Sequence, residues 1–339
     1  TVWTGTQNPF GVRSELARAF GIPETHVRVH VPDTGGGFGG KHTGEAAIEA
    51  ARLSKAADKP VRLQWTRAEE FTWAYARPAG VIEVRVGLDK NNTVTAWDFT
   101  NYNSGGSGLT TPYQFPNIKT AYKACDSPHR EGSYRALAST ANHFAREVMI
   151  DRIAGLAKTD PVQFRLDHLD SERQKDVLNA AAKAVHWSNR NRGSTTRSLG
   201  IACGTEKASY IATAVELDVD ADKKRFKIRR VTCAYECGAI HNPKNLRSQV
   251  EGSIVMGLGG ALTEQLRFNN GVLETIDFNT YEVPRFKDIP PIDIILLDRP
   301  DLPSVGAGET PIIALAPAIV NALESTGQIS NNALPIEIV

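Results

Sequence analysis

Alternating apolar positions in Val27-Arg28-Val29-His30-Val31 set three valines on one face and predict a strand. A glycine-rich stretch follows, then a segment from Glu45 to Ala57 whose apolar positions are mostly alanines. Such a segment predicts a helix with little side chain in the way of close packing on a sheet. Ahead of the strand, Ser14 to Phe20 reads as a short helix. Beyond Lys59-Pro60, Val61 to Thr66 reads as a strand. Val81 to Val86 and Thr93 to Thr100 alternate around Asp89-Lys90-Asn91-Asn92, as a hairpin does. Gly105 to Pro116 has no period and reads as an irregular, mobile loop.

From Ser139 the period changes to that of an amphipathic helix. Pro161 sits where a second helix would start and run to Leu169, and Lys175 to Trp187 gives a third. The polar stretch 189–198 is the expected linker between two subdomains, 1–188 and 199–339. Past it, Leu199 to Ala202, Ile211 to Val219, Phe226 to Tyr235 and Ile292 to Leu297 read as strands. Asn245 to Gly257 and Pro311 to Ser325 read as helices, with a short strand pair around Asn269-Asn270-Gly271. The pattern is that of an α+β fold with mixed sheets flanked by helices.

Composition narrows the classes. At 339 residues, 41% apolar and 23% charged, the chain has room for about two domains and a sizeable core. A net charge of +1 supplies no global field for nucleic acid or an anionic membrane. The basic run Lys223-Lys224-Arg225 reads as a solvated hairpin turn. No apolar stretch approaches the ~20 residues that span a bilayer. The chain begins at Thr1 without an initiator Met or an apolar leader, so the expectation is a piece of a longer polypeptide or a processed subunit, with cytoplasm and periplasm both open. Cys125, Cys203, Cys233 and Cys237 form no metal or iron–sulfur signature. Cys233 and Cys237, roughly 13 Å apart at ~3.3 Å per residue of strand, are too distant for a disulfide and read as buried apolar residues.

Candidate chemistry gathers at two turns. Five of the six residues from Gly35 to Gly40 are glycine, broken by Phe38. Such a loop between a strand and a helix suits an anion held by backbone N–H groups. Gly35, Gly40 and Lys41 fit a phosphate loop, with Ile292 to Asp298 as a magnesium-holding strand. That motif needs Ser or Thr after the lysine, and His42 stands there. The second turn, Gly306-Ala307-Gly308-Glu309, offers a carboxylate on sparsely side-chained backbone; the plainer reading of Glu309 is a helix cap. Arg135 could bind an anion or pair with Glu131.

Taken together, these pieces resemble the molybdenum-binding subunit of the xanthine dehydrogenase/aldehyde oxidase family, in its isoquinoline 1-oxidoreductase-like branch. The resemblance rests on Thr6-Gln7-Asn8, Gly35 to Lys41, Tyr134-Arg135 before Asn142 to Glu147, Cys237 to Pro243, Gln249-Val250-Glu251-Gly252 with Gly257-Leu258-Gly259, and Gly306 to Pro311, in one order along nearly the whole chain. Gly39 to Glu45 and Gly204-Thr205-Glu206-Lys207 carry the branch.

The resemblance implies the molybdopterin-binding domain of a molybdenum hydroxylase. The cofactor would be molybdopterin with Mo, its cytosine dinucleotide form being an open alternative. Glu309 would match the family's general base, taking a proton as oxygen attacks an electron-poor carbon. Gln7, Phe38 and Arg135 would neighbour the molybdenum with no direct protein ligand to it. Gly37, Gly39, Gln249 and Gly308 would complete the cofactor contacts, with His42 and Leu137 facing substrate. Implied partners are the remaining portion of the molybdenum subunit and a small [2Fe-2S] subunit, with FAD on a partner also allowed. The family's Met-Gly-Gln-Gly cofactor segment is absent from this sequence and would lie ahead of Thr1. His42 and Leu137 replace an acidic residue and a stacking Phe of purine-oxidising members, and the region near Ser104 lacks their second arginine. These departures argue against xanthine and leave an aldehyde or an N-heteroaromatic. A nucleotide-hydrolysing protein, a non-catalytic scaffold half and a carrier holding molybdopterin in transit are the rivals.

Overall fold

The structure is a computed structural model and describes residues 1–127, 129–190, 194, 196–220, 222, 225–327 and 331–336. In chain order come β1 (Val2–Trp3), α1 (Pro9–Phe20), β2 (Val29–His30), α2 (Glu45–Ala57) and α3 (Arg67–Trp73). Next are β3 (Val81–Leu88), β4 (Val94–Tyr102), β5 (Ile118–Lys123), α4 (Ser139–Leu156), α5 (Pro161–His168) and α6 (Glu172–Ala184). Last come β6 (Arg197–Glu206), β7 (Ser209–Asp220), β8 (Arg225–Glu236), α7 (Pro243–Leu262), β9 (Phe268–Asn269), β10 (Val272–Leu273), β11 (Ile292–Leu297) and α8 (Leu315–Glu324).

The chain forms two compact units. One comprises Thr1–Pro78, Ser127–Arg135 and Arg267–Thr280; the other comprises Ala79–Asp126, Ala136–Leu266 and Tyr281–Val339. This division does not coincide with the expected linker at 189–198, all of which falls in the second unit. Residues 191–193 and 195 of that stretch, and Lys223 and Lys224 of the basic run, lie outside the described residues.

In the first unit α1 and α2 enclose a small core of Val12, Leu16 and Ala47. Helix α1 begins at Pro9 rather than Ser14 because Asn8 caps it: its Oδ1 accepts from the Gly11 N–H at 3.1 Å, and proline suits the first helical position. The strand expected at 27–31 shrinks to β2, whose parallel partner β1 is itself two residues long. Val61 to Thr66 joins no ladder; Thr66 instead opens α3 with a reciprocal cap to Glu69.

In the second unit a four-stranded sheet runs in the order β11-β8-β7-β6, with β11 parallel to β8 and the other pairs antiparallel. Alternate residues of β7 enter different cores. Ile211, Val215, Leu217 and Val219 pack with α7 and α8, while Ala212 and Ala214 pack with α6. Both faces are therefore covered, which explains the nearly continuous apolar run of Ile211 to Val215. A second sheet, β3-β4-β5, includes β5, absent from the sequence reading. Its Lys-bearing, half-exposed edge carries no clean alternation. The stretch 105–116 is irregular but anchored: the carbonyls of Gly105 and Ser107 accept from Asn142, and that of Gly108 accepts from Arg146. Among the described residues no helix is long and apolar enough to cross a membrane.

Buried charge fixes α4, whose start carries part of the candidate site. Glu147 accepts from Arg165 at 2.9 Å, from the Tyr113 hydroxyl at 2.8 Å and from the Cys203 N–H at 3.1 Å, tying the helix to β6. The cysteines are free thiols. Burial pushes Cys203 and Cys233 up to about 12, so few thiolates form there. Iodoacetamide at pH 8 should therefore alkylate exposed Cys125 and spare these two until the chain is unfolded, as peptide mass spectrometry would read.

Candidate functional site

The candidate residues fall into two groups, one in each unit. In the first unit the glycine loop folds back on itself. Gly40 donates its N–H to the Gly37 carbonyl at 2.7 Å, and the Gln7 N–H donates to the Lys41 carbonyl at 2.8 Å, setting Gln7 beside the loop. The Lys41 ammonium donates to the Gly35 carbonyl at 3.0 Å and to the Thr34 hydroxyl. The Lys41 side chain thereby ties the start of the loop to its end.

Phe38 sits at φ 50°, in the left-handed region, and is 54% exposed as a residue. A non-glycine residue there costs roughly 1–2 kcal/mol. The Arg135 guanidinium lies over that ring, 5.5 Å from its centroid, while Arg135 as a whole is only 5% exposed. The segment ending at Arg135 is strapped by the chain at 75–77. Ala76 and Glu131 form a parallel bridge, Arg77 donates to the Arg135 carbonyl at 2.8 Å, and the Tyr75 hydroxyl donates to the Gly39 carbonyl.

The glycines turn out to serve unequal ends. A Cβ on Gly37 would stand 2.7 Å from the Gln7 amide oxygen, and one on Gly39, at φ 110°, would stand 2.2 Å from the Ser133 carbonyl oxygen. Both positions are closed by the protein's own packing. At Gly35 a Cβ would meet nothing within 4 Å. Among the described residues the N–H groups of Gly35 to Gly39 find no protein acceptor. A row of uncommitted backbone donors beside a buried guanidinium is the donor set an anionic group needs.

In the second unit Glu309 does not cap the short helix Thr310–Ile312 that follows it. Its carboxylate instead accepts the Ala136 N–H at 2.9 Å. Ala136 and Leu137 both take positive φ, 65° and 49°. Neither is a residue that favours that region, so tertiary bonds impose the turn. The Glu309 bond is one of these, and the Ser139 N–H closes the turn locally by donating to the Ala136 carbonyl at 3.0 Å.

The Glu309 turn is held from behind. The buried Tyr235 hydroxyl donates to the Gly306 carbonyl at 2.5 Å. The Ser209 hydroxyl donates to the Thr310 hydroxyl at 2.7 Å, and Thr310 in turn donates to the Glu206 carbonyl at 2.9 Å. Gly308 faces open space, with nothing within 4 Å of a Cβ there, and its carbonyl accepts from Ser253 at 3.4 Å. Gln249 lies exposed one turn before Ser253 on α7. His42 is exposed in the first unit and Leu137 half-buried in the second. Among the described residues no three His, Cys, Asp or Glu side chains gather as a metal site.

Sequence reasoning missed Tyr235, Ser209 and Thr310, which look like ordinary strand and turn residues. Replacing Tyr235 with Phe removes the shortest donor to the Gly306 carbonyl and leaves it the Ser209 hydroxyl at 3.3 Å. The expected cost is ~0.5–1.5 kcal/mol in urea unfolding, with the fold otherwise unchanged by circular dichroism.

Two profiles of molybdopterin cofactor-binding domains match the chain, one over residues 1–169 and the other over residues 135–290. A nicotinate dehydrogenase subunit of Pseudomonas putida is 28% identical over 99% of this chain and 32% of its own length. The beta subunit of isoquinoline 1-oxidoreductase of Brevundimonas diminuta is 27% identical over 96% of this chain and 45% of its own. The chain belongs to the molybdenum-binding subunits of the xanthine dehydrogenase family. It spans less than half the length of these two family members. The fold agrees: quinoline 2-oxidoreductase from Pseudomonas putida 86 superposes with a TM-score of 0.84 at 17% identity, over 98% of this chain and 70% of that one. As a family member the chain is a molybdopterin-binding one, and the loop amides and Arg135 suit the cofactor's anionic groups.

Proposed function

We propose that this chain is the cofactor-holding part of a molybdenum hydroxylase that oxidises an aldehyde or an N-heteroaromatic with oxygen from water. Molybdopterin, when bound, supplies the two-electron redox centre. The N–H groups of Gly35 to Gly39, with Gln7 and Arg135, hold the anionic metal end. Gln249 and Gly308 contribute contacts on the α7 side, and His42 and Leu137 border the substrate. Glu309 receives the proton released as oxygen is delivered to an electron-poor carbon. The observation that carries the reading is the Glu309 carboxylate, fixed on a glycine turn by its bond to the Ala136 N–H rather than spent on capping. A positioned base of this kind contributes ~10²–10⁴-fold.

The relatives' greater length supports a remaining portion of the molybdenum subunit that completes the cofactor cage. Electrons then pass to a small [2Fe-2S] subunit, with FAD on a further partner in some assemblies. Elemental analysis of the purified assembly, with an absorption spectrum, tests this: molybdenum near one per chain together with iron–sulfur bands is the expected result. Magnesium-dependent ATP binding without molybdenum would sink it.

A further inference from the structure

The hairpin tip between β6 and β7 projects a cation at the proposed base. Lys207 Nζ stands 4.0 Å from Glu309 Oε1 and 3.7 Å from Glu206 Oε1. Both separations exceed hydrogen-bond range, and among the described residues the ammonium donates no hydrogen bond. Its three N–H donors are therefore uncommitted. Side-chain exposure rises from 10% at Glu206 through 28% at Glu309 to 51% at Lys207, so the ammonium is the outermost of the three groups.

The placement is enforced rather than incidental. Lys207 and Ala208 take φ 52° and 60°, a tight hairpin turn that Asn and Gly would fill without strain. A Cβ on Gly306 would stand 2.6 Å from the Lys207 carbonyl oxygen and 2.4 Å from the Ser209 hydroxyl, so the tip rests directly on the turn that carries Glu309. Strain held by surrounding packing, next to a candidate catalytic group, points to a use for the residue that bears it.

We infer that Lys207 is a specificity-determining residue that binds a carboxylate carried on the substrate's own heteroaromatic ring; this rests on the hydroxylase reading above. Without the lysine, Glu206 and Glu309 present two negative charges to an arriving anion. With it, one is offset, and uncommitted donors face the newcomer. The short span between ammonium and base fits a carboxylate on the ring under attack rather than one on a long tether.

The test uses the assembled holoenzyme with pyridine-3-carboxylate and, as neutral comparison, quinoline. Lys207→Met should raise KM for the carboxylate about 10–100-fold, the range a charge-assisted hydrogen bond commands, and change kcat/KM for quinoline less than threefold. Lys207→Arg should restore most of the loss. Titration calorimetry with pyridine-3-carboxylate should show the same weakening without turnover. Equal losses on both substrates, or no loss on either, overturn the inference. So does a molybdenum-loaded wild type that oxidises aldehydes or quinoline but neither binds nor oxidises the carboxylate; in that case the hydroxylase reading stands. An assembly without molybdenum defeats both.

Discussion

Glu309→Gln is expected to lower kcat by about three orders of magnitude, within the range a positioned general base supplies, while molybdenum content stays at the wild-type level. The substitution is close to isosteric. Its amide oxygen can still accept the Ala136 N–H that Glu309 now accepts at 2.9 Å, so the turn keeps its shape and only the proton acceptor is lost. Glu309→Ala removes both, and the stranded Ala136 N–H adds roughly 1–3 kcal/mol of instability. Steady-state kinetics beside metal analysis and urea unfolding separate the two variants. Undiminished turnover in the Gln variant would make this chain a scaffold and shift the chemistry to a partner. Loss of metal with loss of turnover would make Glu309 structural.

How far that expectation could be read from residues alone differs along the chain. Helices Glu45–Ala57 and Ser139–Leu156, and strand Ile292–Leu297, follow from the spacing of their apolar residues, although Glu45–Ala57 buries Ala47 alone and Ile292–Leu297 is only half-buried. Residues 61–66 have a strand's composition but no ladder partner, and partnership is not a local property. Strand β5 escaped for the converse reason: Lys119 and Lys123 on a half-exposed edge hide the pleat. Two turns with consecutive left-handed non-glycine residues were not legible. Ala136-Leu137 and Lys207-Ala208 contain nothing that favours positive φ; the first is held from far along the chain by Glu309, and the second closes the ladder pair Glu206–Ser209 and rests on Gly306. The sequence marked Glu309 as interesting but offered capping as the plainer use; the bond to Ala136 removes that alternative.

The glycine loop makes the second large prediction, and its logic has changed from that of the motif. Read as a sequence, Gly35 to Gly40 is one permissive stretch. In the fold, Gly39 combines φ 110° with a would-be Cβ 2.2 Å from a backbone oxygen of Ser133, the residue two before Arg135. Gly39→Val therefore incurs backbone strain and overlap together, of order 2–6 kcal/mol. The nearest relief is to push the 133–135 segment, and with it the Arg135 guanidinium, away from Phe38. Molybdenum stoichiometry in the assembled protein should fall to less than about a tenth, since the loop donors and the arginine would no longer face one anion. Gly35→Ala is the matched control: its Cβ meets nothing within 4 Å, so the loop keeps its shape and metal content should stay within twofold of wild type. Calorimetric scans distinguish a displaced loop from a lost fold, because the second unit's cores, centred on β7, contain no residue of this loop. A Gly39→Val protein that retains full molybdenum would mean the loop and Arg135 do not hold the cofactor.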